Sequence, residues 1–287
     1  MHNLHDYIEQ AKKEHFAIGH FNISNLEALW AIFEAARDLK QPVIIGVSEG
    51  EREFVGVRQA ASLVQSIRNE FDYPIFINAD HSHSFESLKK CVDVGFDSVM
   101  IDGSKLEFDE NVKLTKKCVE YADRIAQEES RTVLVEAELG YIGTSSALLD
   151  EIPEGAGEEK TSPEVAEKFV DETGVDLFAP SVGNIHGIVK SGNPHIDAEL
   201  VGKIADATHC GLVLHGGSGI TDEDLREGIK NGINIIHVNT EIRKAFRDGL
   251  EESLKVNDSV APYKYMALPR KKVYDTVYSK IKLFANL

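Results

Sequence analysis

Eight short runs of apolar and β-branched residues recur along this 287-residue chain, and stretches with a helical spacing of apolar residues lie between them. The runs are Ala17–Phe21, Val43–Val47, Ile75–Ala79, Ser98–Ile101, Val133–Glu138, Leu177–Ser181, Leu212–His215 and Ile233–Val238. Alternation of strand and helix is typical of parallel strands joined by right-handed crossovers, with the helices outside. Eight such units are the number in a (β/α)8 barrel, which takes roughly 250 residues as one domain.

The intervening stretches repeat apolar residues at i, i+3 and i+4, as a helix that covers a sheet requires. They are Asn25–Leu39, Val57–Asn69, Phe85–Val94, Glu110–Glu128, Pro163–Thr173, Asp197–Thr208 and Asp222–Asn231. A doubly wound sheet is the alternative, but it needs a glycine-rich fingerprint near the first strand, and none is there. We therefore predict an α/β protein with a single-domain TIM barrel over residues 1–287. Its C-terminal tail, Asp258–Leu287, should end in a helix over Lys271–Phe284.

Charge and cysteine content narrow the class of protein. The chain has 31 Lys and Arg against 48 Asp and Glu, a formal charge of −17. This charge repels nucleic-acid phosphates and anionic membranes, so we expect neither as a partner. The widely spaced Cys91, Cys118 and Cys210 form no disulfide framework,. The sequence shows neither a signal-peptide pattern nor an apolar run that spans a bilayer, so we expect a cytoplasmic protein.

Polar clusters stand at the ends of six predicted strands. They are Asp80-His81-Ser82-His83, Asp102-Gly103-Ser104, Glu136-Ala137-Glu138, Gly183-Asn184-Ile185-His186-Gly187, His215-Gly216-Gly217-Ser218-Gly219 and His237-Val238-Asn239-Thr240-Glu241. In a barrel these ends converge on one mouth, where active sites lie. Neutral imidazoles near carboxylates suit Zn²⁺ or a similar divalent ion. We predict His81, His186 and His215 as metal ligands, with His83 beside them.

The glycine-rich string after the seventh strand has the composition of a phosphate-binding turn. Its glycines let backbone N–H groups face an anion, Ser218 adds a hydroxyl donor, and the following helix begins there,. Taken alone, the string fits a plain strand-to-helix turn equally well. Asn239 and Thr240 at the end of the eighth strand, together with Lys190, favour phosphate, because barrels commonly bind it after strands seven and eight.

Several of these strings together resemble the class II, metal-dependent fructose-bisphosphate and tagatose-bisphosphate aldolases. The strings are His20–Glu27, Ala79–Ser82, Val135–Gly140, His186-Gly187, His215–Gly219 and Asn239–Glu241. The resemblance implies a zinc-dependent carbon–carbon lyase that reversibly cleaves fructose 1,6-bisphosphate to dihydroxyacetone phosphate and glyceraldehyde 3-phosphate, in glycolysis and gluconeogenesis. Tagatose bisphosphate or another phosphorylated ketose is the alternative substrate. A homodimer or homotetramer is the assembly that the resemblance implies.

The resemblance also implies roles for individual residues. The three histidines would hold the zinc, which polarises the carbonyl of dihydroxyacetone phosphate, and Asp80 would transfer a proton beside the aldehyde. Asp102 and Glu138 match positions of alternative or neighbouring metal contacts, compatible with a second divalent or a monovalent cation. The ketose phosphate would be bound by Gly187, Lys190, Gly216, Ser218, Asn239 and Thr240. Arg270 matches the arginine for the far phosphate.

Two departures from the family pattern concern proton transfer. Thr144-Ser145-Ser146 stands where the family has a loop acid that takes the C–H proton. The loop Leu139–Thr161 is long enough to act as a lid, and it offers other carboxylates. The candidates for the base are Asp150, Glu151 and Glu154, with Glu151 preferred. His237 replaces an asparagine that touches substrate, so it either changes which sugar fits or accepts the proton itself.

Three other interpretations of these residues stay open. A metal-dependent barrel hydrolase would use His81-Ser82-His83, although such enzymes carry this pattern on the first strand rather than the third. A Schiff-base aldolase would use Lys190, although an activated lysine is normally buried at a strand end. A non-catalytic protein that binds sugar phosphates would explain the missing loop acid. Inactivation by EDTA and trapping by borohydride distinguish these classes.

Overall fold

The computed structural model describes residues 2–143, 147–152, 157, 159–190 and 194–287. Its strands are β1 (Ile18–Asn22), β2 (Val43–Val47), β3 (Ile75–Ser82), β4 (Ser98–Ile101), β5 (Leu134–Leu139), β6 (Leu148–Leu149), β7 (Leu177–Pro180), β8 (Ile188–Val189), β9 (Gly211–Leu214) and β10 (Ile233–Val238). All except β6 and β8 form a closed barrel of eight parallel strands, in which β10 pairs with β1. The predicted TIM barrel is confirmed.

Helices surround this barrel. They are α1 (Leu4–Glu14), α2 (Leu26–Leu39), α3 (Glu49–Val55), α4 (Val57–Phe71), α5 (Phe85–Asp93), α6 (Phe108–Glu129), α7 (Pro163–Thr173), α8 (Ala198–Thr208), α9 (Asp222–Lys230), α10 (Thr240–Val256), α11 (Pro262–Tyr265) and α12 (Ala267–Phe284). Within the described ranges, none of these helices has the length and apolar character needed to cross a membrane.

The barrel interior changes from apolar to polar along each strand, because alternate residues share a face. On β10, Ile235 belongs to the inner apolar cluster, and His237 follows two positions later. On β5, Leu134 belongs to the same cluster and precedes Glu136 by two residues. Leu4 of α1 joins these residues and helps to cover the lower end. The strands therefore carry an apolar floor below a polar mouth.

The predicted boundaries differ from the structure at several places. The predicted strand that ended at Ala79 continues to Ser82, so the polar residues after it are part of β3. The C-terminal helix begins at Ala267 rather than Lys271, because Pro269 in its first turn removes only an N–H that would have no helical partner,. The spacing of apolar residues does not predict helices α1, α3, α10 and α11, which the structure contains.

The loop after β5 is tied to the loop after β7. Leu148 and Leu149 pair in parallel with Ile188 and Val189, which joins β6 to β8. The proposed lid and the segment that follows His186 are therefore linked by backbone hydrogen bonds. The loop positions Thr144-Ser145-Ser146 and Glu154 lie outside the described residues.

Candidate metal centre

Three imidazoles and one carboxylate converge at the mouth of the barrel. His81, Glu138, His186 and His215 each offer one ligand atom, and these atoms lie within 4.8 Å of one another. Nδ1 of His215 is 3.2 Å from Nε2 of His81 and 3.3 Å from Oε2 of Glu138. The structure thus brings together the three histidines predicted as ligands, although they come from β3, the loop after β7 and the end of β9.

Two atoms of this cluster are buried without a hydrogen-bond partner among the described residues. They are Nε2 of His186 and Oε2 of Glu138. Buried polar atoms are nearly always satisfied, so two unpaired acceptors in one cluster are placed where they could bind a cation. Imidazole nitrogen with carboxylate oxygen is a donor set that suits Zn²⁺ and related divalent ions. The residues present therefore fit a divalent metal.

The backbone at His81 departs from regular strand geometry. His81 has a φ of +46°, and the β3–β4 register shifts between Ala79 and Ser82. A positive φ is uncommon for a residue other than glycine, and it persists where the surroundings hold it. The buried guanidinium of Arg52 donates to the carbonyl oxygen of Asp80 at 3.0 Å and to Oγ of Ser82 at 3.1 Å. Arg52 therefore holds the residues on both sides of His81.

Carboxylates behind two of the histidines orient their rings. Oδ2 of Asp102 lies 2.9 Å from Nδ1 of His81, and Oε1 of Glu136 lies 2.7 Å from Nε2 of His215. In each ring the other nitrogen is left to face the cluster, as in metal sites where a carboxylate supports a histidine ligand. Asp102 is thus placed behind a histidine, whereas Glu138 is in the cluster itself. Sequence reasoning gave Glu136 no role, although its spacing from Glu138 puts both on one face.

Burial and neighbouring charge separate the protonation states of the three histidines. Burial lowers the pKa of His81, but the carboxylates Asp80, Asp102 and Glu138 outweigh it and raise that pKa to about 10. Burial and the charge of His81 lower the pKa of His215 to about 3 and that of His186 well below its usual value. The surroundings therefore favour the protonated form of His81 and the neutral forms of His186 and His215.

Asp80 lies next to this cluster on the inner face of β3. Its Oδ1 is 3.3 Å from Nδ1 of His237, and its Oδ2 accepts a hydrogen bond from Nδ2 of Asn22 at 2.8 Å. Burial raises the pKa of Asp80, but the charge of His81 and the hydrogen bond to His237 hold it well below its usual value. Asp80 is therefore an ionised carboxylate at the mouth of the barrel.

A stack of buried imidazoles runs beneath the cluster. The ring of His237 lies parallel to that of His20 at 3.4 Å and stacks on that of His215 at 4.2 Å. Burial lowers the pKa of His237, and it lowers that of His20 to about 4. The sequence pattern predicts a role for His237 but none for His20. Pairing of β1 with β10 places His20 opposite His237, and this register is the feature that indicates His20. Gly46 gives His20 its space, because a Cβ there would lie 2.1 Å from the ring.

A small cavity beside the cluster is lined by five of the predicted substrate-binding residues. They are Gly187, Gly216, Ser218, Asn239 and Thr240, and the cavity is also lined by Asp80 and His186. Gly216 has a φ of +65°, and a Cβ there would lie 2.0 Å from the carbonyl oxygen of Ile185. A side chain at that turn would therefore push two loops of the mouth apart. This geometry is suited to a small anion bound close to the backbone.

Three predicted site residues are placed elsewhere. Nζ of Lys190 lies 2.6 Å from Oδ1 of Asp150, and both side chains are mostly exposed. Glu151 is exposed, and it makes no hydrogen bond or ion pair within the part of the chain that is described. Nη2 of Arg270 donates to Oε1 of Glu34 at 2.6 Å, in a groove between α2 and α12.

The family described as fructose-bisphosphate aldolase class-II matches residues 2–286. The fructose-bisphosphate aldolase of Geobacillus stearothermophilus is 38% identical over 288 residues, 99% of this chain and 96% of that protein. The fructose-bisphosphate aldolase of Staphylococcus aureus strain Mu50 is 38% identical over 291 residues, 99% of this chain and 97% of that protein. The crystal structure of the YdjI aldolase from Escherichia coli K12 superposes with a TM-score of 0.84 at 31% identity, covering 98% and 96% of the two chains.

Proposed function

This chain belongs to the class-II fructose-bisphosphate aldolase family, and we propose that it is a zinc-dependent enzyme that reversibly cleaves fructose 1,6-bisphosphate to dihydroxyacetone phosphate and glyceraldehyde 3-phosphate. The observation that carries the proposal is the convergence of His81, His186 and His215 with two unpartnered buried acceptors. Tagatose 1,6-bisphosphate or another phosphorylated ketose is the alternative substrate, because His237 stands beside Asp80 where the substrate would lie.

The three histidines and Glu138 would hold the metal. When bound, the metal supplies Lewis-acid polarisation of the ketose carbonyl. Cleavage breaks the bond between C3 and C4 of the ketose, and the C4 hydroxyl becomes the aldehyde. Asp80, ionised and beside the ligands, accepts the proton from that hydroxyl and returns it in the reverse reaction,.

The ketose half also needs a group that exchanges a proton at C3. We assign this role to Glu151, with His237 as the candidate inside the barrel. Glu151 is exposed and lies two residues after β6. The pairing of β6 with β8 keeps this loop beside the segment after His186. A movement of the loop can therefore bring Glu151 to the mouth of the barrel. A Glu151→Gln variant should slow exchange of the C3 hydrogen of dihydroxyacetone phosphate with solvent deuterium. The variant Asp150→Asn, at the neighbouring residue, tests the other loop carboxylate in the same exchange measurement.

The cavity lined by Gly187, Gly216 and Ser218 would take the phosphate of the ketose half. Lys190 would also bind this phosphate, and it would leave Asp150 to do so. The exposed ion pair between Lys190 and Asp150 contributes little free energy, so breaking it costs little,. Exposure of Lys190 also disfavours its use as a Schiff-base nucleophile,. Arg270 stays a prediction of the family resemblance alone, since its groove lies between α2 and α12.

A cytoplasmic location, a role in glycolysis and gluconeogenesis and a homodimer or homotetramer belong to the same proposal. The free thiols of Cys91, Cys118 and Cys210 support a reducing compartment,. Family membership supports the pathway and the assembly. Light scattering tests the assembly, because a monomer would have a mass of 31.8 kDa.

The direct test is cleavage of fructose 1,6-bisphosphate beside tagatose 1,6-bisphosphate, coupled to detection of triose phosphates. We expect cleavage that disappears with EDTA and returns with Zn²⁺, and the ratio of the two rates identifies the preferred sugar. Cleavage that survives EDTA and is trapped by borohydride would indicate a Schiff-base enzyme instead. Failure of the zinc-loaded protein to cleave either sugar would leave other phosphorylated ketoses, a hydrolase or a binding protein.

A further inference from the structure

The buried carboxylate of Glu51 approaches the mouth of the barrel from α3, although Glu51 is neither in the metal cluster nor among the described residues that line the small cavity. We propose that Glu51 is a positioning residue for the reaction: it fixes the amide of Asn22, which in turn holds the carboxylate of Asp80. This inference rests on the proposed function, in which Asp80 exchanges the proton of the C4 hydroxyl, and adds a residue that acts through Asp80.

The start of α3 brings Glu51 to the end of β1. Asn22 is the last residue of β1 and pairs with Gly46 of β2, two positions before Ser48. Ser48 and Glu51 form a capping box, in which Oε2 of Glu51 accepts a hydrogen bond from the backbone N–H of Ser48 at 2.8 Å. A capping box turns the side chain of the third helical residue back over the start of the helix. The carboxylate of Glu51 therefore lies against β1, and its side chain is only 8% exposed.

The amide of Asn22 links two carboxylates. Its Nδ2 donates to Oε2 of Glu51 and to Oδ2 of Asp80, each at 2.8 Å, and these two bonds use both hydrogens of the amide,. Its Oδ1 is buried without a hydrogen-bond partner among the described residues, which costs free energy,. The terminal torsion of an asparagine is broad, so Asp80 alone does not fix the plane of the amide. Loss of Glu51 would let the amide turn towards a partner for Oδ1 and would weaken its bond to Asp80.

Arg243 balances the charge of Glu51. Two carboxylates that share one amide group repel each other, because like charges at close range disfavour the ionised forms. Nη2 of Arg243 donates to Oε1 of Glu51 at 2.7 Å, whereas Asn22 is bound by the other oxygen. The positive charge of Arg243 therefore offsets part of the repulsion, and Glu51 can support Asn22 as a carboxylate.

The residue that follows Glu51 holds the backbone of Asp80. Nη1 of the buried Arg52 donates to the carbonyl oxygen of Asp80 at 3.0 Å. The position of Asp80 on β3 therefore has a support that is separate from Glu51. Removal of the Glu51 carboxylate should change the orientation of the Asp80 carboxylate while the strand and the metal ligand His81 stay in place.

A double-mutant cycle separates this role from a purely structural one. The readouts are kcat and KM for cleavage of fructose 1,6-bisphosphate at saturating zinc, together with the zinc bound in the same samples. Glu51→Ala should lower kcat about tenfold and leave KM and bound zinc at the wild-type values, because a misoriented proton acceptor slows the chemical step. In the Asp80→Asn background, Glu51→Ala should cause no further loss, because the group through which it acts is gone.

Two further variants on α3 complete the experiment. Glu51→Gln keeps one acceptor oxygen for Asn22, so it should show a smaller loss of kcat that also disappears in the Asp80→Asn background. This variant carries the cycle if Glu51→Ala does not fold. Glu53→Ala is the matched control, because Glu53 is exposed on the same helix, and it should have the wild-type kcat.

The outcomes for Glu51 and for the proposed function are distinguishable. An equal loss of kcat in the wild-type and Asp80→Asn backgrounds, or an unchanged kcat in both Glu51 variants, would overturn the role of Glu51. Loss of bound zinc in these variants would overturn it as well. Zinc-dependent cleavage by the wild-type enzyme would leave the proposed function intact in each of these cases. A zinc-loaded wild-type enzyme that cleaves no phosphorylated ketose would remove both.

Discussion

Nε2 of His215 lies 2.7 Å from Oε1 of Glu136, and both side chains are fully buried. This contact leaves Nδ1 of His215 facing His81 and Glu138. A carboxylate in that position fixes the ring and its tautomer and increases the basicity of the nitrogen that binds metal. Glu136 therefore organises the metal centre from behind one of its ligands.

Replacement of this carboxylate should weaken metal binding. Glu136→Gln keeps the size of the side chain but removes its charge, and loss of such a partner typically costs about 10–100-fold in metal affinity. Competition with a coloured zinc chelator measures the change. Glu110→Gln, at an exposed position on α6, is the control and should bind zinc as the wild type does. Equal zinc affinity in both variants would show that Glu136 has no such role.

The carboxylate of Asp80 should matter for turnover more than for the metal. Asp80→Asn removes the group that accepts the hydroxyl proton, and loss of a general base typically lowers kcat about 10²–10⁴-fold. Zinc content measured on the same samples should stay at the wild-type level, because Asp80 lies outside the four-residue cluster. A variant that loses zinc together with activity would make Asp80 a ligand instead.

The stacked ring of His237 should control the orientation of Asp80. His237→Ala removes the contact of Nδ1 with the carboxylate and the stacking on His20. Because a hydrogen bond to a charged group contributes about 1.5–3 kcal/mol, kcat should fall about 10–100-fold. His237→Asn restores a donor and should recover part of kcat. Two variants with the same kcat would mean that the imidazole acts in another way, for example as the proton acceptor.

Metal binding should stabilise the fold, because the ligands come from parts of the chain that unfolding separates. At a free zinc concentration 1,000 times its Kd, the free energy of unfolding should rise by about 4 kcal/mol. For a protein of this size that corresponds to an increase in Tm of about 7 °C. Calorimetry of the EDTA-treated and the zinc-loaded protein measures the shift. Identical Tm values would contradict a site shared by β3, β5 and the loops after β7 and β9.

Thiol chemistry should play no part in the reaction. Burial raises the pKa of Cys91 to about 11 and that of Cys118 to about 12. The thiolate form, which reacts, is therefore scarce at pH 8, and alkylation should accelerate as the pH rises towards these values. We expect iodoacetamide at pH 8 to label the half-buried Cys210 first, without loss of cleavage. Mass spectrometry locates the label, and inactivation that parallels modification of Cys91 or Cys118 would refute this expectation.

Much of the barrel and its mouth could be predicted from spacing within the chain. Leu134, Glu136 and Glu138 alternate along one strand, so one pattern indicates both the strand and the face that carries the carboxylates,. The histidines that end different strands converge because the ends of all barrel strands meet. The location of the site residues at the strand ends can therefore be predicted without knowledge of any contact between them.

The remaining features depend on contacts between distant parts of the chain. Arg243 pairs with Glu51 across 192 positions, and nothing in either local pattern indicates it. The position of Arg270 follows from packing of α12 on α2, a relation between two helices that amphipathic spacing does not specify. The pairing of Lys190 with Asp150 depends on the short sheet of β6 and β8, whose strands are too brief for a periodic signal.

The most direct measurement is a titration of the metal-free protein with Zn²⁺, with bound zinc and cleavage of fructose 1,6-bisphosphate followed in the same samples. We predict that cleavage rises in proportion to bound zinc and saturates when each chain holds one ion at the site of His81, His186 and His215. A His215→Ala variant should fail to gain cleavage over the same range. Full cleavage by the metal-free protein, or zinc bound at these histidines without any gain in cleavage, would contradict the metal-dependent mechanism.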